Sequence, residues 1–276
     1  MTDPMTEATT RPEAARPLVD HEETRILVCI PTYNEALNLE GIVGRLRTAV
    51  PSAEVLVVDD NSPDGTGQIA DRMATADANV HVLHRVGKEG LAAAYVAAFR
   101  WGLERGYDVL VEMDADGSHR PEELPRLLAA LDRADMVKGS RWVPGGSVVN
   151  WPKSREYLSR AGNLYTRLML GVPVKDITGG FNVFRAQTLR DIGLDNIAAA
   201  GYFFQTDMTL HTIETGHRVA EVPITFEERQ FGESKLDSSI FFESLARTTG
   251  RGLKRRGAQL RRVVGDRRRG GSSLNA

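Results

Sequence analysis

The sequence predicts an α/β fold built on a mainly parallel, Rossmann-like sheet flanked by helices, and three observations lead there. Short Val-, Ile- and Leu-rich runs alternate with stretches whose apolar residues recur at helical spacing. Polar clusters follow several of those runs, at the carboxyl ends where such sheets bind ligands. The length of 276 residues and the 41% hydrophobic content suit one well-buried domain with elaborations better than two domains.

Ile26 to Ile30 reads as the first buried strand, and Leu39, Ile42, Val43 and Leu46 mark the helix after it. Val55 to Val58 is a second strand ending at Asp59-Asp60, with a helix expected from Ser62 as cap and Pro63 in the first turn. Val80 to Leu83 makes a third strand. Leu91, Ala94, Tyr95, Ala98 and Phe99 mark a long helix that Gly106 closes. Val109 to Met113 is the strand leading to Asp114. Leu124, Leu127, Leu128 and Leu131 give a further helix, and Met136 to Ser140 a strand ending at Arg141. The second half is less regular: a Gly- and Val-rich loop from Val143 to Trp151, a mixed segment from Tyr157 to Leu170 and a bend at Asp176 to Gly180. A helix from Phe204 to Thr215, one extended strand from Val219 to Phe226, and a helix with a basic face from Ile240 to Leu260 complete the reading.

The net charge of −2 hides an asymmetry. From Arg251 to Ala276 nine basic residues face one acid, Asp266, about +8, which leaves about −10 for the rest. The lone Cys29 excludes an internal disulfide and suits a reducing, cytoplasmic setting as a buried strand residue. No apolar run is long enough to span a bilayer, so membrane contact is expected to be peripheral. Residues 1–23 read as a disordered leader, 24–240 as the main domain and 241–276 as an amphipathic, basic helical extension and tail.

Asp114-Ala115-Asp116 carries the chemistry. Carboxylates at alternate positions of an extended segment point the same way and hold a hard divalent cation, Mg2+ or Mn2+, through oxygen. Pro31-Thr32-Tyr33-Asn34-Glu35 and Asp59-Asp60 end two other strands, so three segments converge on one crevice. Asp59-Asp60 also suits a helix-capping turn, and His119 a turn before the helix at Pro121.

With Val58-Asp59-Asp60-Asn61-Ser62, Gly139-Ser140-Arg141, Asn150-Trp151-Pro152, Ser159 to Asn163, Asp176 to Phe181, Glu221 to Phe226, Arg229 and Gly232-Glu233-Ser234-Lys235 added, the chain resembles the inverting glycosyltransferases of family 2. Within them it is similar to the polyprenyl (dolichyl) phosphate mannose synthases, over roughly Ile26 to Leu236. The resemblance implies a GT-A fold, with Asp114 and Asp116 on the metal and Pro31, Tyr33, Glu35, Val58, Asp60, Asp114, Ala115 and Asp116 on the nucleotide sugar. It implies catalytic roles for Asp116, Arg141, Arg229 and Lys235, the three cations drawing an anionic acceptor toward an anionic donor. In some relatives a glutamine stands two positions after the second Asp; here it is Ser118.

The implied reaction transfers one mannose from GDP-mannose to a polyprenyl phosphate with inversion, at the cytoplasmic face of a membrane. A lipid phosphate that is largely dianionic at neutral pH needs no strong base, which leaves Asp207 a structural role. A UDP-sugar hexosyltransferase and a non-catalytic nucleotide-sugar-binding scaffold stay open as alternatives. Tyr157, Leu158, Leu164, Tyr165, Leu168, Met169 and Leu170 with Arg155, Arg160 and Arg167 suit a face at lipid headgroups, and equally an ordinary core-facing helix. The basic tail suits an anionic membrane surface more than nucleic acid, for which no recognisable fold is present, and a separate integral-membrane protein is a plausible partner.

Overall fold

A computed structural model describes residues 24–197, 203–229 and 244–256. Its strands are β1 (Ile26–Thr32), β2 (Glu54–Asp59), β3 (Val80–His84), β4 (Val109–Glu112), β5 (Met136–Ser140), β6 (Ser147–Val149), β7 (Asn182–Arg185), β8 (Val219–Pro223) and β9 (Thr225–Glu227). Seven of them form one sheet in the order β3-β2-β1-β4-β7-β5-β8. All its pairings are parallel except those of β7, which runs antiparallel between β4 and β5. A two-stranded parallel sheet joins β6 to β9.

Strand alternation sorts the core into two layers. Ile26, Val28, Ile30, Val55, Val57, Val109, Val111 and Val137 share one layer with Leu124, Leu127 and Leu131 and with α1 (Leu39–Ala49), whose buried residues are the expected Leu39, Ile42, Val43 and Leu46. Leu27, Cys29, Leu56, Val58, Leu110 and Met136 face the other way, toward α3 (Leu91–Glu104), α6 (Ala186–Ile192) and α7 (Phe203–Glu214). There Tyr95 stacks on Phe204 at 6.2 Å between ring centroids. Burial on both faces is what a parallel sheet requires of such continuous apolar runs.

Several expectations change. The helix α2 (Thr66–Ala76) begins at Thr66, not Ser62, because Asp59 ties Ser62 into a turn: Ser62 Oγ donates to Asp59 Oδ1 at 2.5 Å. Leu91 opens α3 but is half exposed. The loop from Val143 to Trp151 contains β6, and the single strand expected from Val219 to Phe226 breaks at Ile224 into β8 and β9, which belong to different sheets. The leucine-rich helix is short, α4 (Leu124–Ala129), with 3-10 turns on either side, while the mixed segment is one long helix, α5 (Lys153–Leu170), whose Leu170 packs into the core with Val172 and Leu210 and does not join an outer face. The expectations for residues 1–23, for Lys235 and its Gly232–Ser234 neighbours, and for residues 257–276 lie outside the described residues; 244–256 is helical.

Register places a polar row across the sheet. Cys29 pairs with Glu112, Glu112 with Asn182, Asn182 with Lys138, and Lys138 with Glu221. Glu112, Asn182 and Lys138 are fully buried. Lys138 Nζ donates to Asn182 Oδ1 at 2.7 Å, and Asn182 Nδ2 donates to Glu112 Oε2 and to Gln205 Oε1. Burial pushes the Glu112 carboxyl up to about 8 and the Lys138 ammonium down to about 8.

Two glycines test the packing with opposite signs. A Cβ at Gly146 would lie 2.5 Å from the Ser140 carbonyl oxygen and 2.8 Å from the Arg141 backbone, whereas at Gly44, inside α1, it would meet nothing within 4 Å. Urea unfolding is expected to show Gly146→Ala losing about 1–3 kcal/mol and Gly44→Ala gaining about 0.5–1 kcal/mol.

Candidate functional site

The site lies where the strand order reverses, between β1 and β4, at the carboxyl ends of β1, β2 and β4. Two loops are laced together there. The Asn34 amide donates to Ser62 Oγ at 3.1 Å, the Glu35 amide to Thr66 Oγ1 at 2.9 Å, and the Ala36 amide to Asp64 at 3.1 Å. Asn34 and Asn61 hold positive φ, a conformation asparagine tolerates, which turns each loop back at the sheet edge.

The Asp59-Asp60 pair divides its labour. Asp59 caps the turn through Ser62, while Asp60 accepts from Arg85 Nη1 at 2.6 Å, and Arg85 in turn pairs with Glu89. Burial raises the Asp60 carboxyl above its ordinary value despite Arg85. Lys88 sits 4.2 Å over the Tyr33 ring. Pro31 and Glu35 line the same edge, half-buried, and Glu35 accepts from Asn38 Nδ2 at 2.7 Å. The Val58 side chain is fully buried in the core, so any ligand contact it makes comes from its main chain. Ala115 is likewise buried, between the two aspartates.

Asp114 and Asp116 lie past the end of β4, in a turn that Gly117 completes at φ +79°. Tyr95 Oη donates to Asp114 Oδ1 at 3.0 Å, and the Ser118 amide donates to Asp116 Oδ1 at 3.0 Å. Burial raises the Asp114 carboxyl. His119, 2% exposed, packs against Phe181 and Phe226, and its Nδ1 accepts the Asp114 amide at 3.0 Å. An Nδ1 that accepts carries no proton, so its 3.9 Å approach to Asp114 Oδ2 is not an ion pair. His119 is thus a buried anchor of the carboxylate loop.

A divalent cation fits this chemistry. Two carboxylates supply hard oxygen, and beside them Ser118 Oγ is a buried hydroxyl that finds no hydrogen-bond partner among the described residues. Among the described residues no group of three or more His, Cys, Asp or Glu side chains could hold a metal.

Two of the expected cations gather on this side. Arg229 Nη2 stands 3.0 Å from Asp116 Oδ2. Arg141, 8% exposed, is held by Asp176 through Nε at 2.8 Å and Nη2 at 2.7 Å, and its guanidinium carbon lies 5.3–5.7 Å from the rings of Phe226, Trp142 and Trp151. Arg155 covers Trp151 at 4.1 Å and pairs with Glu228 at 2.8 Å. Sequence reasoning did not single out Arg85, Tyr95, Asp176 as the partner of Arg141, or the row beneath the site. Glu112 and Lys138 interrupting apolar strand runs were the available signal, since charged residues at such positions are buried only with partners.

Three comparisons bear on this arrangement. The profile described as Glycosyl transferase family 2 matches residues 27–193. The chain is 59% identical over 241 residues to an undecaprenyl-phosphate mannosyltransferase of Micrococcus luteus, covering 87% of this chain and 99% of the relative. It is 53% identical over 242 residues to a polyprenol monophosphomannose synthase of Mycolicibacterium smegmatis, covering 87% and 91%. Its fold is similar, with a TM-score of 0.55 and 18% identity over 90% of this chain and 67% of the other, to a mannosyltransferase from Pyrobaculum calidifontis in complex with GDP-Man and Mn2+.

Asp207 is buried in α7, with its Oδ1 3.4 Å and its carbonyl 3.0 Å from His211 Nδ1. The Asp207 contact raises the His211 pKa above its ordinary 6.5, against Arg251 on the other side of the ring. The charged imidazole therefore stabilises the fold fully below about 6.5, and that contribution is lost as pH rises through the higher folded value. A pH series of melting temperatures is expected to fall across this window in the unsubstituted chain and to flatten in Asp207→Asn, with activity kept within about threefold.

Proposed function

The chain belongs to glycosyl transferase family 2 and has the family's GT-A architecture, and from that premise we propose that it transfers a single mannose from GDP-mannose to a polyprenyl phosphate, with inversion. The observation that carries the acceptor and the sugar is 59% identity, across nearly the whole of its length, to a protein named undecaprenyl-phosphate mannosyltransferase. GDP as the donor nucleotide follows from the family resemblance.

Each residue then has a task. Pro31, Tyr33, Glu35, Asp60 and the main chain at Val58 receive the nucleotide at the laced loops, with Lys88 and Arg85 as neighbouring cations. Asp114 and Asp116 hold Mg2+ or Mn2+, which when bound neutralises the charge that develops on the departing diphosphate. Tyr95 and His119 keep Asp114 in place, and the Ser118 amide holds Asp116.

The acceptor phosphate is already a nucleophile as a dianion, so the site's work is to overcome repulsion between two anions and hold them in line. Arg141, Arg229 and Lys235 are assigned that work. Asp176 fixes Arg141 from behind, and the surrounding aromatic rings exclude water, which strengthens its field. Asp207, tied to His211, is left out of proton transfer.

Residues 24–240 form the catalytic domain in this reading and 241–276 its basic extension. No described helix is long and apolar enough to cross a membrane. Tyr157, Leu158, Leu164 and Leu168 on α5 are 52–70% exposed, which supports peripheral contact with a lipid surface.

Labelled GDP-mannose, UDP-glucose and UDP-N-acetylglucosamine offered with a short polyprenyl phosphate, with and without chelator, test the reading. Chelator-sensitive mannosyl lipid is expected, and transfer of a different sugar would overturn the donor assignment. Asp116→Ala is expected to lower kcat by about two orders of magnitude or more. Arg141→Lys should lose about tenfold, because an ammonium cannot reproduce the forked contact with Asp176.

A further inference from the structure

Beside the site, but sharing no lining residue with the Asp114, Asp116 and Arg229 cluster, is an open cavity of about 150 Å³ lined by Trp142, Arg160, Asn163, Leu164, Arg167 and Lys175. Its lining holds three cations and no carboxylate. Arg160 is stacked 4.2 Å over Trp142 and pairs with Glu156 outside the cavity; among the described residues neither Arg167 nor Lys175 forms an ion pair. Asn163 is fixed at the base, donating to the Ser159 carbonyl and to Thr178 Oγ1 at 3.0 Å. Crowding like charges in a half-enclosed space is unfavourable unless an anion joins them.

The helix supplies a second observation. Tyr157, Leu164 and Leu168 stand at i, i+7 and i+11 of α5, one stripe at its outer face, and are 70%, 52% and 60% exposed. Arg160 and Arg167 follow the same spacing on one flank of that stripe, on the side of Asn163. The other flank is covered by the helical residues 244–256, through Tyr165 Oη and Thr249 Oγ1 at 2.7 Å. An exposed apolar stripe bordered by a cationic cavity with a tryptophan in its wall matches a lipid, acyl chains on the stripe and phosphate in the cavity, better than a free anion.

We infer that this cavity binds the phosphate of an anionic membrane phospholipid, distinct from the phosphate that receives the sugar, and that it orients α5 on the bilayer. The inference rests on the peripheral-membrane part of the proposed function and not on the identity of the donor.

Vesicle flotation of the full chain tests it, with vesicles of phosphatidylcholine alone and with added phosphatidylglycerol. Arg167→Gln/Lys175→Gln should weaken binding to the anionic vesicles by about tenfold or more and leave mannosyl transfer to a short, soluble polyprenyl phosphate unchanged. A control with the same charge change on exposed sites elsewhere, Arg72→Gln/Arg133→Gln, should stay within about twofold. An equal loss in both variants would mean diffuse attraction and would overturn the site. A melting-temperature rise with inorganic phosphate that the cavity variant abolishes while its vesicle binding stays intact would reassign the cavity to a free phosphate and also overturn the inference. Flotation needs no donor, so failure of sugar transfer by the unsubstituted chain would count against the proposed function and leave this readout standing.

Discussion

Asn182 joins the two halves of the sheet, and the site depends on the row it completes. Its amide accepts from Lys138 on β5 and donates to Glu112 on β4, so the antiparallel β7 can sit in only one register between them. A slip of β7 by one residue would turn Asn182 to the other face and leave the Glu112 and Lys138 charges in the core without it. The same row positions the segments downstream of each strand. Glu112 leads by way of Met113 to Asp114, Lys138 by way of Gly139-Ser140 to Arg141, and Lys138 also holds the Gly179 carbonyl in the loop that carries Asp176. The Asp114 and Asp116 carboxylates and the Arg141 guanidinium are therefore spaced by a buried hydrogen-bond network. Burying such groups is costly unless all are satisfied, and one Glu112 oxygen, Oε1, finds no partner among the described residues.

Above that row opposite charges lie side by side. Asp114 and Asp116 present negative charge, raised toward neutrality at Asp114 by burial, and are stabilised by Tyr95, the Ser118 amide and Arg229. Arg141, backed by Asp176 and walled by aromatic rings, keeps its guanidinium plane fixed where a mobile lysine would not. A loop bearing two carboxylates is thereby combined with rigid protein cations, and the fold supplies the two from the ends of different strands.

The long helix α5 links this chemistry to the surface. Its inner face carries Asn163, bonded to Thr178 in the loop of Asp176, while its outer face exposes an apolar stripe. Whatever settles on the stripe is therefore two hydrogen-bonded residues away from Arg141, since Arg141 also donates to Thr178 Oγ1 at 3.3 Å. The small β6–β9 sheet performs the matching task for Arg229: β9 passes beside His119, and the chain leaves it directly toward the carboxylate loop.

Much of this was determined by local chemistry and so was legible in the sequence. The apolar runs of β1, β2, β4 and β5 and the spacing of Leu39, Ile42, Val43 and Leu46 define buried strands and a covering helix, because periodicity alone decides which side chains face a core. Asp60, Asp114 and Asp116 at strand ends mark the crevice for the same reason. What only the tertiary structure decided depends on partners distant in sequence. The antiparallel insertion of β7, the break at Ile224 between two sheets, the grip of Asp176 on Arg141 across 35 residues and the anchoring of Asp114 by His119 and Tyr95 all pair groups that carry no local pattern. Hydrophobic periodicity is written along the chain, whereas the satisfaction of a buried polar group is a property of two segments at once, and it exists only when the fold has brought them together.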